Sequence, residues 1–260
     1  MNILIQNKLN EKLDAVIEGN KESNQINIFV HGFGTNKDEG FNIFKDLSDC
    51  LKQDFLNIRF DLSGYGKSEG KDYEFNLDKA ADDIESVINY VKKQYSTKKI
   101  NIIAHSLGTF AVMSLSPANI TNITKIIFTG IPNSKTDFVV KGIQKRISSK
   151  GGEINESGIT TYPRSSGTKD MIGPQFWTTL KNLNPLEALT HIGNKTNITI
   201  FKPMQDEVLE YKYFEEYKKI SDKEENKNQI NYIELNGDHN FSKPKNRKNL
   251  FEQIKKILLS

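Results

Sequence analysis

The stretch "NIIAHSLGTF", residues 101–110, runs from β-branched and apolar residues straight into a His, a Ser and a Gly. Its first half reads as a buried strand, and "LGTFAVMSL" after Ser106 reads as the start of a helix. A Ser at such a junction has two readings. It caps the helix, or it is a nucleophile held up on a sharp, strained turn. The second reading needs small residues two before and two after the Ser, so that strand and helix pass closely, and Ala104 and Gly108 stand there. The rest of the chain has to decide.

On either side of this stretch, short apolar runs recur at 26–30, 57–60, 99–104, 124–130, 197–201 and 230–235. Most are nearly continuous, as strands buried on both faces of a parallel sheet should be. Between them lie helical patterns at 77–94, 207–220 and 246–259; in the first, Ala80, Ile84, Val87, Ile88 and Val91 share one stripe. Strand alternating with helix predicts an open α/β sheet with helices on both faces, and the first 25 residues supply an antiparallel hairpin at its edge. The alternation stops between about residues 131 and 190, where Gly151 and Gly152, "YPRSSGT" and "IGP" break any long period. A plain loop of that length does not fit a compact domain, so we expect an insertion with small helices or strands of its own.

Composition narrows the function. The 260 residues suit one soluble globular domain carrying an insertion. The 36 basic and 33 acidic residues are scattered without a block of like charge, which argues against a nucleic-acid partner. Lys far outnumbers Arg, which occurs only at 59, 146, 164 and 247, and we read this as the coding bias of an AT-rich genome. The single Cys50 rules out an internal disulfide and fits a reducing, cytoplasmic location; no Cys/His cluster has zinc spacing. No targeting segment is visible at the N-terminus, and no run approaches the ~18 apolar residues of a membrane span.

Three further segments bear on Ser106. In "FVHGFGTNKDE" (29–39) a strand ends in His31, Gly32, Phe33 and Gly34. That turn either aims a backbone N–H, that of Phe33, across the sheet end toward Ser106, or is only a Gly-rich turn with a satisfied core His. "RFDLSGYGKSEG" (59–70) imitates a phosphate loop, but Asp61 stands where the first Gly of such a loop belongs, and it reads as a structural turn. A nucleophile also requires a base and a carboxylate. Of four His residues, His105 adjoins Ser106 and points elsewhere, His31 belongs to the first turn, and His191 lies at the far boundary of the insertion. His239, in "IELNGDHNF", follows the last strand at the sheet edge where parallel strands end. "ITIFKPMQDEVLEY" supplies Asp206 after the preceding strand, with Glu207 as a fallback; Asp238 is assigned to shaping its own loop. Ser106 as nucleophile, Asp206 as acid and His239 as base, with the backbone N–H groups of Phe33 and Leu107 binding an oxyanion, form a consistent catalytic set.

With "VHGFG", "FDLSGYGKSEG", "IIAHSLGTF", "PMQDEVL" and "GDHNF" in this order, the chain resembles the α/β-hydrolases over nearly its full length. The resemblance implies an eight-stranded, mostly parallel sheet with a lid inserted after the sixth strand. This places core at 1–130 and 191–260 and a lid at 131–190. "HGFG" and "YPRSSGT…IGPQFW" further resemble bacterial carboxylesterases of the cinnamoyl/feruloyl-esterase type and serine-aminopeptidase-like hydrolases. Two departures stand out: Ala104 replaces the usual first elbow Gly, and Leu107 replaces the Gln often found after the nucleophile in feruloyl-esterase relatives. Phe138, Tyr162, Met171, Phe176 and Trp177 either wall an apolar acyl pocket or form a small core inside the insertion. The expected activity is hydrolysis of a small-molecule carboxylic ester with no metal or organic cofactor. A peptidase, amidase or acyltransferase and a non-catalytic ligand-binding protein of the same fold are the alternatives. Oligomeric state is not legible.

Overall fold

The computed structural model describes residues 1–95, 98–164, 167–209, 215–226 and 229–260. The chain runs through β1 (Asn2–Gln6), β2 (Lys12–Gly19), β3 (Gln25–Val30), α1 (Ile43–Leu51) and β4 (Leu56–Phe60). It continues through α2 (Leu77–Gln94), β5 (Lys99–His105), α3 (Leu107–Met113), α4 (Pro117–Ile120) and β6 (Ile123–Thr129). Then come α5 (Thr136–Ser149), β7 (Thr160–Pro163), β8 (Lys169–Ile172), α6 (Pro174–Asn182) and α7 (Pro185–Gly193). The sheet resumes with β9 (Asn197–Pro203), followed by α8 (Glu215–Ser221), β10 (Ile230–Leu235) and α9 (Pro244–Leu259).

Eight strands form one sheet in the order β1, β2, β4, β3, β5, β6, β9, β10, and β7 and β8 form a separate antiparallel pair. β1 with β2 and β2 with β4 pair antiparallel, making the predicted edge hairpin; every other neighbour in the large sheet is parallel. The apolar runs arise because the central strands are covered on both sides. Ile28, Val30, Ile102, Ala104, Ile126 and Phe128 face the layer of α2, α3 and α7. Phe29, Ile103, Ile127 and Phe201 face α1 and α9.

Asn27, Asn57 and Asn101 sit side by side in β3, β4 and β5 and are fully buried. Asn101 Nδ2 donates to Asn27 Oδ1 (3.0 Å), Asn27 Nδ2 to Asn57 Oδ1 (2.9 Å), and Asn57 Nδ2 to the Ser48 carbonyl (3.1 Å). Buried amides need such partners, so a slip of any of these strands would strand polar groups in the core and is disfavoured.

From β3 the chain crosses through α1 to β4 on one side, then returns through α2 to β5 on the other. That reversal opens a crevice above the C-terminal ends of β3 and β5, the place where open α/β sheets bind ligands.

Several elements differ from the sequence reading. The helix expected over 207–220 begins, among the described residues, only at Glu215, and 210–214 lie outside them. Its first residues bend instead because Asp206 Oδ1 accepts the N–H groups of Val208 (2.9 Å) and Leu209 (3.0 Å). α7 spans the expected boundary at 190 and packs on α3, α8 and β9. The "GKS" stretch is a structural turn, as read. Buried Asp61 accepts the Lys37 N–H (2.6 Å), the Lys37 ammonium (2.7 Å) and the Lys67 N–H (2.8 Å).

Candidate active site

Ser106 stands between the last residue of β5 and the first of α3, with φ 51° and ψ −131°. A side chain in that region of backbone space costs on the order of 1–3 kcal/mol, so the surrounding structure must hold it there. The Ser106 N–H donates to the Thr129 carbonyl (3.0 Å), and its own carbonyl accepts the Thr109 N–H (3.0 Å) and hydroxyl (2.7 Å). The helix comes down almost on β3: a Cβ on Gly108 would lie 2.5 Å from the His31 carbonyl oxygen and 2.6 Å from that of Val30. Gly108→Ala is therefore expected to push α3 off the sheet and destabilise the fold by about 1–3 kcal/mol, measurable by denaturant unfolding.

Three strand ends meet here. His239, after β10, places Nε2 3.1 Å from Ser106 Oγ, and its Nδ1 lies 2.8 Å from Asp206 Oδ2, after β9. Because a carboxylate only accepts, Nδ1 carries the proton and Nε2 is left to accept from the Ser hydroxyl. Burial alone would raise the Asp206 carboxyl; the hydrogen bond and charge of His239, then the Lys202 ammonium and the Leu209 N–H, outweigh it and hold the group below its ordinary range.

The remaining candidates fall elsewhere. Glu207 accepts the His239 backbone N–H (3.1 Å) and so fixes the loop rather than the imidazole. Asp238 accepts the Ser242 N–H (2.7 Å) and its hydroxyl, shaping the same loop. His31 is buried, with Nδ1 on the Gly32 carbonyl (2.8 Å) and Nε2 accepting the Leu62 N–H (2.9 Å); burial lowers it to about 4. His105 turns Nδ1 to the Thr129 hydroxyl (2.9 Å), and its ring lies 4.7 Å from that of His239. Burial first, then the charge of His239, lowers His105 well below its ordinary value, so it stays neutral. His191 is exposed on α7.

Phe33 and Leu107 line one cavity of about 210 Å³ together with Ser106 and His239. A Cβ on Gly32 would come within 2.9 Å of Ser106 Cβ, so the turn after β3 lies directly against the Ser. The Phe33 ring packs with Phe176 (5.0 Å between centroids), Phe75 (5.8 Å), Tyr65 (6.1 Å) and Tyr162 (6.3 Å). Both readings of the insertion's aromatic residues need correction here. Of the five, Tyr162 alone lines the cavity; Phe176 and Trp177 are buried in the continuous core of the whole domain, and Met171 is exposed. Phe138 lines a smaller neighbouring space. A short insertion cannot close a core of its own, and Phe176 and Tyr162 pack instead against the Phe33 ring, with Trp177 edge-on to Phe176.

Glu39 was not singled out from the sequence. Its carboxylate is buried in the cavity wall and accepts the N–H groups of Gly32 and Gly40 (2.9 Å), while its own backbone sits at φ 60°. Burial pushes this carboxyl up to about 7, despite the two N–H groups and the nearby His239, which oppose the shift. In sequence it is one of two acids in a charged turn, and no periodicity marks it as buried. Among the described residues no group of three or more His, Cys, Asp or Glu is arranged to hold a metal.

Comparisons with known proteins agree with this architecture. Residues 28–149 match the family model described as alpha/beta hydrolase fold. Est1E from Butyrivibrio proteoclasticus, in a structure with ferulic acid bound, superposes with a TM-score of 0.74 at 18% identity, covering 99% of this chain and 98% of that one. The Pyrococcus furiosus esterase Pf2001 superposes with a TM-score of 0.73 at 16% identity, covering 99% of this chain and 89% of that one. Among curated proteins, the chain is similar to the probable lysophospholipase BODYGUARD 2 of Arabidopsis thaliana, 29% identical over 129 residues, or 48% of this chain. The matched stretch spans 26% of that relative's length. The chain thus has the α/β-hydrolase fold, with an eight-stranded, mostly parallel sheet.

Proposed function

We propose that this protein hydrolyses small-molecule carboxylic esters through an acyl-enzyme on Ser106. The observation that carries the reading is the hydrogen-bonded line from Ser106 Oγ through the His239 ring to Asp206 Oδ2, ending on a Ser in a strained backbone conformation. In this reading the Ser106 oxygen attacks the ester carbonyl carbon while its proton passes to His239 Nε2. Asp206 keeps the imidazole in the required tautomer and stabilises the imidazolium that forms. The backbone N–H groups of Phe33 and Leu107 receive the negative oxygen of the tetrahedral intermediate. One such donor typically contributes about 2.7–4 kcal/mol. As the intermediate collapses, the alcohol leaves with the proton from His239; water then repeats the sequence and releases the acid.

The esterases among the similar structures and the partly apolar cavity wall support an ester substrate. The segment over 131–190 serves as the lid in this proposal, since α5 and Tyr162 border the cavity from above the sheet end. Asp206, His239 and the two N–H donors complete the chemistry, so no cofactor enters it. Among the described residues no helix is long and apolar enough to cross a membrane; we assign the protein to the cytoplasm, in keeping with one free, exposed Cys50.

Purified protein is expected to release p-nitrophenol from short- and medium-chain acyl esters, and to turn over aminoacyl anilides far more slowly. No turnover of any ester would refute the proposal, and faster anilide cleavage would make the protein an amidase.

A further inference from the structure

In a chain with 36 basic residues, Arg occupies only four positions. Three of these guanidiniums are held by carboxylates: Arg59 by Glu18 and Asp38, Arg164 by Asp170, and Arg247 by Asp46. The fourth, Arg146, has no ion pair or side-chain hydrogen bond among the described residues. It stands in the wall of the Ser106 cavity. Val139, Ile143 and Arg146 recur at helical spacing on one stripe of α5, and all three line that cavity. Arg146 therefore stands on the stripe that walls the cavity and not on the opposite, solvated face of the helix. Beside it Gly142 leaves open space where a side chain would stand, and a recess of about 30 Å³ reaches from there past Arg146 and Leu209. Arg164, whose charge is met by Asp170, forms the neighbouring part of the same wall. It stacks over Tyr162 (4.3 Å) and reaches across Gly34, where a Cβ would lie 1.5 Å from Nη2.

A guanidinium without an ion-pair partner, lining the same cavity as a reacting Ser, is a receptor for a planar or tetrahedral anion. Resting on the ester-hydrolase reading, the geometry points to an ester bearing an anionic group, a carboxylate or phosphate, that pairs with Arg146 while the ester carbonyl lies at Ser106. Val139, Ile143 and Leu209 take up the apolar spacer between the two. A neutral ester of the same length leaves the guanidinium without a partner inside the cavity. Discrimination therefore favours the charged substrate.

The test compares three substrates: p-nitrophenyl butyrate, mono-p-nitrophenyl glutarate with its carboxylate on the acyl side, and 3-(butyryloxy)benzoate with its carboxylate on the alcohol side. For at least one charged ester, the ratio of its kcat/KM to that of the neutral ester should fall about 10- to 100-fold in Arg146→Met, carried mainly by KM, and recover in part in Arg146→Lys. The arm that responds tells which side of the ester carries the charge. Ratios unchanged within about two-fold in both arms would overturn the proposal. If no ester shows Ser106-dependent turnover, the hydrolase reading fails, and the anion site is judged by calorimetry. Monomethyl glutarate should bind Ser106→Ala at least ten-fold more tightly than Ser106→Ala/Arg146→Met, and equal binding would overturn the site.

Discussion

Ser106→Ala is expected to lower kcat for p-nitrophenyl esters by about a million-fold, to whatever residual rate the oxyanion donors and binding sustain. A capping Ser would behave differently, since its loss costs about 1 kcal/mol of stability and leaves chemistry elsewhere untouched. Ser106→Gly separates the two roles further. At φ 51° and ψ −131° a glycine carries no side-chain penalty, so this variant should be as inactive as Ser106→Ala and more stable than it, by part of the ~1–3 kcal/mol stored there. In a chain of this size that corresponds to a rise in Tm of a few degrees, at ~2–4 °C per kcal/mol. A Gly variant melting at or below the Ala variant would show that the turn is not strained in the way its dihedrals imply.

Asp206→Asn is expected to cost about ten-thousand-fold in kcat while the fold is retained, because an amide beside Nδ1 favours the tautomer that turns a proton toward Ser106. Glu207 cannot substitute, since its carboxylate is committed to the His239 backbone N–H. The same residue predicts an acid response. The Asp206 pKa is lowered in the folded state, so its contribution to stability is full above the ordinary 3.8 and is lost as pH falls through the folded value. Unfolding curves taken between pH 6 and pH 2 should therefore converge for wild type and Asp206→Asn at the acid end. A drop of only a few-fold in kcat for Asp206→Asn would remove Asp206 from the mechanism.

Much of this was legible in the residues. The strands were readable because β3, β5, β6 and β9 are covered on both faces, which leaves runs such as "INIFV" with few polar interruptions. That Ser106, Asp206 and His239 come to one end of the sheet was readable because each lies within four residues of the end of a parallel strand, where the topology dictates the destination. Features set by packing across the sequence were not. α1 escaped notice because it is nine residues long and is entered through Glu39, Phe41 and Asn42, all at positive φ. The bend after Asp206 hid behind a good helical pattern, since one side-chain oxygen binding two backbone N–H groups outweighs weak propensity. Glu39 and Arg146 are ordinary charged residues in sequence. Only the turn after β3 and the α5 stripe reveal that one is buried and the other faces the cavity.

A fluorophosphonate probe read by peptide mass spectrometry distinguishes a Ser106 nucleophile activated by His239 from a Ser that only shapes the strand-to-helix turn. One adduct is expected, on the peptide carrying Ser106, absent in Ser106→Ala and formed at least a thousand-fold more slowly in His239→Ala. No adduct, an adduct on another residue, or labelling that does not depend on His239 would contradict the activated nucleophile.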